Sequence, residues 1–302
     1  MINGYYTMQD MTSTICDKTE AIGAQLQVLD TRDNKLYWIS KLADNHCWMT
    51  QNLDLDLSHD KPLTSEDTDL NDGSLSSAYT ENYTYNPENK LITWIPEKTT
   101  KVYGKDIGDK WANDNHQSNS MDIGQWYWNG NDDTPDCNFL TTKCNDFSQT
   151  SDNKHLSVGN YYNWPAAIAS DNSSSLTQST YTNITNNPQN SICPKNWRLP
   201  TISNQGAILN STSEFARLNS VYTNSSNGDL TMISAPLYFV RSGHNVGSLY
   251  NAGVRGFYWS STVGSATISA YFLNFNKNSV SPATDFNYDD RAGGRSIRCL
   301  AR

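Results

Sequence analysis

Apolar-rich runs separated by short polar segments near the start of the chain predict a β-meander. Three strand-like runs are rich in Leu, Val, Ile and Trp, and two short segments rich in Asp, Asn and Lys separate them. The runs are Gln25–Asp30, Leu36–Leu42 and His46–Leu53, and the separating segments are 33–35 and 43–45. Asn and Asp favour turns because their side chains hydrogen-bond the local backbone. We therefore expect three antiparallel strands joined by tight turns.

The pattern changes over residues 58–155. Asp, Asn, Ser and Thr dominate, and apolar residues come singly or in short bursts such as Leu91–Ile95. This predicts a long insertion of irregular structure with a few short strands.

Order resumes after residue 156. Ser213 is positioned to cap a helix over Glu214–Ser220, in which Phe215 and Leu218 share one face, and Thr201 or Ser203 could cap another through about Leu209. From Met232 onward the pattern predicts only strands and turns. The chain is strand-rich at both ends with short helices between, so we expect one α+β domain.

Composition narrows the class of protein. Hydrophobic residues make up 36% and charged residues 18%, yet the chain has nine Trp, seventeen Tyr and eight Phe. This favours a folded, loop-rich β protein with a polar surface. The net charge is −9 and no cluster of Lys and Arg occurs, so we do not expect nucleic acid as a partner.

The six cysteines favour disulfides and an oxidising compartment. No CxxC occurs, so structural zinc is not expected. Cys137 and Cys144 are close enough in sequence for a local bridge. No apolar run reaches the ~18 residues of a membrane-spanning helix, and no signal peptide is visible. If the protein is exported, a signal or anchor precedes this sequence, and membrane contact runs only through that anchor.

Several motifs carry a family resemblance. They lie within residues 8–57 and 156–302, and they are Met8-Gln9-Asp10-Met11-Thr12, Leu29-Asp30-Thr31-Arg32-Asp33, Lys41-Leu42-Ala43-Asp44, Cys47-Trp48-Met49-Thr50-Gln51-Asn52-Leu53, Val158-Gly159-Asn160-Tyr161-Tyr162-Asn163-Trp164, Cys193-Pro194-Lys195-Asn196-Trp197-Arg198-Leu199-Pro200-Thr201, Tyr258-Trp259-Ser260-Ser261-Thr262 and Ser296-Ile297-Arg298-Cys299. Together they resemble the Fibrobacter succinogenes major paralogous domain family. Those exported bacterial surface proteins are similar to the C-type-lectin and formylglycine-generating-enzyme folds.

The resemblance implies a C-type-lectin-like fold with small antiparallel sheets, short helices and a long loop-rich insertion. A single domain would span residues 1–302, with its core in 14–57 and 156–302 and its insertion in 58–155. The N- and C-terminal strands would pair, and the implied disulfides are Cys193–Cys299 and Cys16–Cys47. Five tryptophans within or beside the shared motifs are expected in the core: Trp38, Trp48, Trp164, Trp197 and Trp259.

One branch of this fold is used by variable proteins of diversity-generating retroelements, whose C-terminal residues are substituted at adenine-rich codons. Residues 244–293 are rich in the resulting types, and Tyr mixed with Ser, Gly and Asn is typical of antibody paratopes. We therefore expect an exported adhesin or receptor-like protein, without catalytic residues, that binds a protein or glycan on another cell or particle. The expected ligand-binding residues are His244, Asn245, Tyr250, Asn251, Asn274, Asn276, Asn278, Asp285, Asn287, Tyr288, Asp289 and Asp290.

Three alternatives remain open at the level of sequence. The segment Ser296–Cys299 resembles part of the copper site of formylglycine-generating enzymes, although residues 290–295 lack the second cysteine. A structural pilus or surface-layer component is another reading. No cofactor is expected, but the oxygen-rich segment 129–136 is a candidate calcium loop, against the alternative of a solvated acidic loop.

Overall fold

The structure is a computed structural model. It describes residues 1–19, 24–55, 63–70, 79–81, 91–94, 159–169, 188–202, 213–222, 232, 236–240, 242–246, 249–251, 255–264, 269–276, 279–281 and 288–302.

Strands dominate the described residues. The strands are β1 Tyr6–Thr7, β2 Leu26–Asp30, β3 Lys35–Lys41, β4 Cys47–Met49, β5 Tyr79–Glu81, β6 Leu91–Trp94, β7 Tyr161–Tyr162, β8 Trp197–Arg198, β9 His244–Asn245, β10 Leu249–Tyr250, β11 Arg255–Val263, β12 Ser269–Asn276, β13 Ser279–Ser281, β14 Tyr288–Asp290 and β15 Leu300–Ala301. The helices are α1 Ser13–Cys16, α2 Trp164–Ala167 and α3 Glu214–Tyr222. The fold is therefore mixed α+β with a few short helices.

The largest sheet has the strand order β1-β2-β3-β4-β15-β8. The predicted meander β2–β3–β4 lies at its centre, with Val28 opposite Tyr37 and Ser40 opposite Trp48. Its turns place Asn34 and Asn45 at φ 59° and 65°, a left-handed conformation that asparagine tolerates better than most residues. The last strand, β15, pairs with both β4 and β8, so the two ends of the chain share one sheet.

A second sheet is built on the antiparallel pair β11–β12. The far edge of β12 pairs with β13 along residues 274–276 and with β14 along residues 269–271. Side chains alternate across the pair, and both faces are covered by buried apolar clusters. Trp259 and Phe272 lie in one cluster, whereas Tyr258 and Leu273 lie in the other.

Tryptophans fill much of the core, but not all of the five expected there are buried. Trp48, Trp164, Trp197 and Trp259 are at most 1% exposed. Trp38 is only half-buried. It lies between Tyr37 and Ile39, which are buried on the opposite face of β3, so alternation directs its ring away from the main core.

The helix expected after Ser213 is present as α3. The Ser213 hydroxyl accepts a hydrogen bond from the Ala216 amide at 3.1 Å, and Phe215 and Leu218 are buried. Helices α1 and α2 have four residues each and were not expected; Thr12 and Asn163 cap them. The helix expected to end near Leu209 lies outside the described residues.

The described residues of the range 58–155, which the sequence predicts to be an insertion, pair with the second half of the chain. Asp67 and Asp69 accept backbone hydrogen bonds from Lys195 and Ser191 at 2.8 and 3.1 Å. Strand β6 pairs antiparallel with β7. These segments are therefore hydrogen-bonded to the rest of the described fold.

Two disulfides connect distant parts of the fold. Cys16–Cys47 joins α1 to β4, and Cys193–Cys299 ties the segment before β8 to the end of the chain. These are the two pairings that the resemblance implies; Cys137 and Cys144 lie outside the described residues. None of the helices in the described residues has the length and apolar character needed to cross a membrane.

Candidate ligand-binding face

One face of β11–β12 runs from the core to the surface. The pairs Trp259–Phe272, Phe257–Asn274 and Arg255–Asn276 lie opposite one another in register. Residues two apart on a strand share a face, so all three pairs lie on the same side of the sheet. Trp259 is fully buried and Arg255 is exposed, so this face opens to solvent at the Arg255 end.

The β9–β10 hairpin packs at this open end. His244 is paired with Tyr250 across the hairpin. Asn245 exchanges two backbone hydrogen bonds with Gly294, at 2.9 and 2.7 Å, and the amide of Arg255 donates to the carbonyl of Asn251 at 2.9 Å. The hairpin is therefore held against the start of β11.

Five rings form a continuous series from the surface to the core, which we call the aromatic ladder: Tyr250, His244, Phe257, Phe272 and Trp259. The centroid distances between successive rings are 5.9, 4.6, 5.7 and 6.0 Å. Tyr250, at the outer end, is 47% exposed. Its ring therefore stacks on a support that is itself packed into the interior.

A buried arginine closes the inner end of the ladder. The guanidinium carbon of Arg295 lies 4.1 Å from the ring centroid of Trp259 and 4.3 Å from that of Phe272. Arg295 is 1% exposed, and such stacking on aromatic faces stabilises a desolvated guanidinium. The inner half of the ladder is thus a rigid base.

Two further arginines of the same segment are fully buried. Arg291 stacks on Trp164 at 4.4 Å and donates from Nε to the carbonyl of Ser269 at 2.8 Å. Arg298 stacks on Phe239 at 4.6 Å. Burial lowers the pKa of Arg298 to about 10, so this side chain remains charged at neutral pH. The sequence shows these arginines only as a scattered basic stretch, and nothing in that pattern marks them as buried.

Asn274 lies opposite Phe257 in the middle of the face and is half-buried. Its Oδ1 atom is buried and accepts no hydrogen bond from the described part of the chain. An unsatisfied buried acceptor costs about 1–3 kcal/mol.

The structure brings together half of the expected binding residues. His244, Asn245, Tyr250 and Asn251 lie on or next to the hairpin, and Asn274 and Asn276 lie at the neighbouring end of β12. The backbone of Tyr288, Asp289 and Asp290 instead pairs with residues 269–271, at the opposite end of β12. Asn278, Asp285 and Asn287 lie outside the described residues.

Sequence reasoning did not single out Val246, Arg255, Phe257 or Phe272 for this face. Val246 and Arg255 are exposed and lie four residues before and five residues after Tyr250 in the chain. The two phenylalanines belong to the aromatic ladder beneath Tyr250. The strand character of β11 and β12 was available as a signal, but the pairing of the two strands had to be known to place these residues together.

The described part of the face carries an exposed phenol, a guanidinium, several amides and the half-buried imidazole of His244. Elsewhere in the described residues, no three His, Cys, Asp or Glu side chains gather as a metal site would need. Cys299, the residue on which the copper-site resemblance depends, is bridged to Cys193.

Comparison with known proteins finds no matching family model, no matching curated protein and no matching solved structure. The described residues form a strand-dominated α+β fold with two disulfides.

Proposed function

We propose that this chain is an exported adhesin or receptor-like protein with a C-type-lectin-like fold, and that it binds a macromolecular ligand through the face around Tyr250. The observation that carries this proposal is the aromatic ladder. An exposed Tyr ring stacked on a packed support loses little conformational entropy when it binds, which is the property of paratope anchors.

The disulfides support the export part of the proposal. Two bridges in one chain are characteristic of proteins that fold in an oxidising compartment. The pairing of β15 with β4, near the two ends of the chain, and the Cys193–Cys299 bridge are the arrangement implied by the resemblance to the Fibrobacter succinogenes major paralogous domain family.

The hairpin also suits a binding face whose residues vary between related sequences while the scaffold is conserved, as in proteins diversified by retroelements. Tyr250 and Val246 are exposed, whereas the residues that hold the hairpin in place do so through backbone hydrogen bonds. Substitution of exposed side chains would leave those backbone contacts intact. No observation on the described residues favours the copper oxidase or the structural pilus component.

The proposal is tested by probing an array of glycans and extracellular-matrix proteins with the full, oxidised chain. We expect at least one bound probe whose affinity falls at least tenfold, about 1.4 kcal/mol, in Tyr250→Ala. Tyr5→Ala is the matched control, because Tyr5 is 36% exposed and lies outside the face, before β1. Binding that is equally strong in Tyr250→Ala, or that depends on Tyr5 instead, would contradict a ligand-binding role for the face.

A further inference from the structure

The described surface at the open end of the face carries a positive charge, whereas the chain as a whole is acidic. The chain carries a net charge of −9, yet the exposed charged side chain described at this end is Arg255. Arg255 forms no ion pair with any side chain in the described residues. Within the part of the chain that the structure describes, its guanidinium has no acidic counter-ion, and an acidic group from outside could supply one.

Apolar surface accompanies this cation. Val246 is 36% exposed and Tyr250 is 47% exposed, and both belong to the short β9–β10 hairpin. The Arg255 amide is hydrogen-bonded to the carbonyl of Asn251, the residue after β10, so the guanidinium-bearing residue is anchored next to the hairpin. An apolar contact and a cation are thus held on one rigid support.

Tyr and Arg, together with Trp, are the side chains that most often dominate protein–protein binding energy. A neutral pyranose ring would stack on Tyr250 and accept a hydrogen bond from Arg255 through a hydroxyl, but it would bring no negative charge to that guanidinium. An aliphatic or aromatic side chain covers Val246 and Tyr250 better, and a carboxylate satisfies Arg255 with a charge-assisted pair of hydrogen bonds.

We infer that the ligand of this face is an acidic protein segment that packs an apolar side chain on Tyr250 and Val246 and directs a carboxylate to Arg255. This inference rests on the proposed function and specifies its partner class. The aromatic ladder holds the Tyr250 ring in place before binding. The acidic segment, rather than the face, therefore loses conformational freedom on binding.

A displayed library of random dodecapeptides, panned against the full oxidised chain, tests the inference directly. We expect enrichment of sequences that combine Asp or Glu with a nearby apolar or aromatic residue. Synthetic versions of those peptides are expected to lose at least tenfold in affinity with Tyr250→Ala. Panning against Arg255→Glu is expected to invert the charge preference and enrich Lys and Arg.

Two control variants separate the face from the general surface. Arg217→Glu makes the same charge reversal at an exposed arginine of α3, and Tyr5→Ala removes another exposed tyrosine ring. Both are expected to keep the acidic preference and the peptide affinity of the native chain. Thermal unfolding of all four variants verifies that they are folded.

The outcomes distinguish the two levels of the proposal. If peptides bind equally well to Arg255→Glu, or if Arg217→Glu alone removes the acidic preference, the inferred partner is wrong. If no peptide is enriched but a glycan binds in a Tyr250-dependent manner, the ligand-binding face stands and the acidic segment is overturned. If neither peptides nor the array probes depend on Tyr250, both fall.

Discussion

Arg298 shows how a single buried residue organises the base of the fold. Its guanidinium donates to Asn52 Oδ1 at 2.6 Å and to the carbonyls of Met49 and Leu237 at 3.2 and 3.0 Å, and it also donates to the carbonyl of Tyr238. One charged side chain therefore satisfies acceptors from two distant parts of the chain. Its removal takes one charged donor away from each of these buried acceptors.

We predict that Arg298→Met lowers the free energy of unfolding by about 3–5 kcal/mol, because four buried acceptors each lose a hydrogen bond from a charged donor. Arg298→Lys should recover only part of this loss, since an ammonium cannot reproduce the planar fork of donors. Urea unfolding with the disulfides intact measures both changes. Arg217→Met, at an exposed site on α3, serves as the control and is expected to change stability by no more than about 0.5 kcal/mol. Native-like stability of Arg298→Lys would show that the fork geometry is not needed.

At the scale of elements, the turn between β2 and β3 carries a buried carboxylate. Asp33 accepts hydrogen bonds from the Lys35 amide at 2.9 Å and from the Tyr37 hydroxyl at 3.1 Å. The Lys35 Nζ lies 3.7 Å from Asp33 Oδ2 and 3.6 Å from Asp54 Oδ2. Burial, followed by the negative charge of Asp30, raises the pKa of Asp33 to about 6.

This shift predicts a pH dependence of stability with a definite sign. A carboxyl whose pKa is higher in the folded state than in the unfolded state favours folding when it is protonated. Its contribution is fully present below about pH 3.8 and is lost as the pH rises through about 6. Between pH 7 and pH 5, Asp33 should therefore add about 1 kcal/mol to the free energy of unfolding.

Asp33→Asn should remove this contribution while keeping the oxygen that accepts from Lys35. Urea unfolding of both proteins at pH 7, 6 and 5 gives the difference in slope. His46, whose pKa is raised mainly by its hydrogen bond to Asp44, acts in the same direction in both proteins and cancels from the comparison. Parallel pH profiles would mean that Asp33 is ionised throughout this range.

The elements also show which parts of the molecule the sequence could predict. The β2–β3–β4 meander follows from its apolar-rich, strand-like runs and from Asn residues in its turns, and α3 follows from its cap and its apolar spacing. Helices α1 and α2 are too short to show a period. Strands β11 and β12 are buried on both faces, so their sequence gives no in–out pattern.

The residue types near the end of the chain allowed part of the candidate site to be predicted. Tyr250 and the neighbouring asparagines were expected from residue types, and the structure places them at one end of the β11–β12 pair. The ladder beneath them depends on the register between Phe257 and Asn274 and on the hairpin bridging at Gly243 and Gly256. Those are long-range pairings, which local pattern does not determine.

At the scale of the whole molecule, two disulfides of different span close the fold. Cys193 and Cys299 are 106 residues apart and both fully buried, whereas Cys16 and Cys47 are 31 residues apart. In the chain-entropy model the longer loop restricts the unfolded chain more, which gives roughly 4–5 kcal/mol for the first bridge and roughly 3–4 kcal/mol for the second. The longer bridge also fixes the strand that joins the two ends of the chain.

We therefore predict that the double variant Cys193→Ala/Cys299→Ala loses more stability than Cys16→Ala/Cys47→Ala. Alanine is chosen because a serine hydroxyl would be buried without a defined partner. Chemical denaturation of the two double variants, side by side with the oxidised native chain, measures the order. If the two losses are equal, or if the shorter bridge contributes more, the stabilisation comes from native-state packing around each bridge rather than from restriction of the unfolded chain. The Tyr250-dependent binding should persist in Cys16→Ala/Cys47→Ala, since that bridge joins α1 and β4 and neither element contributes a residue to the face.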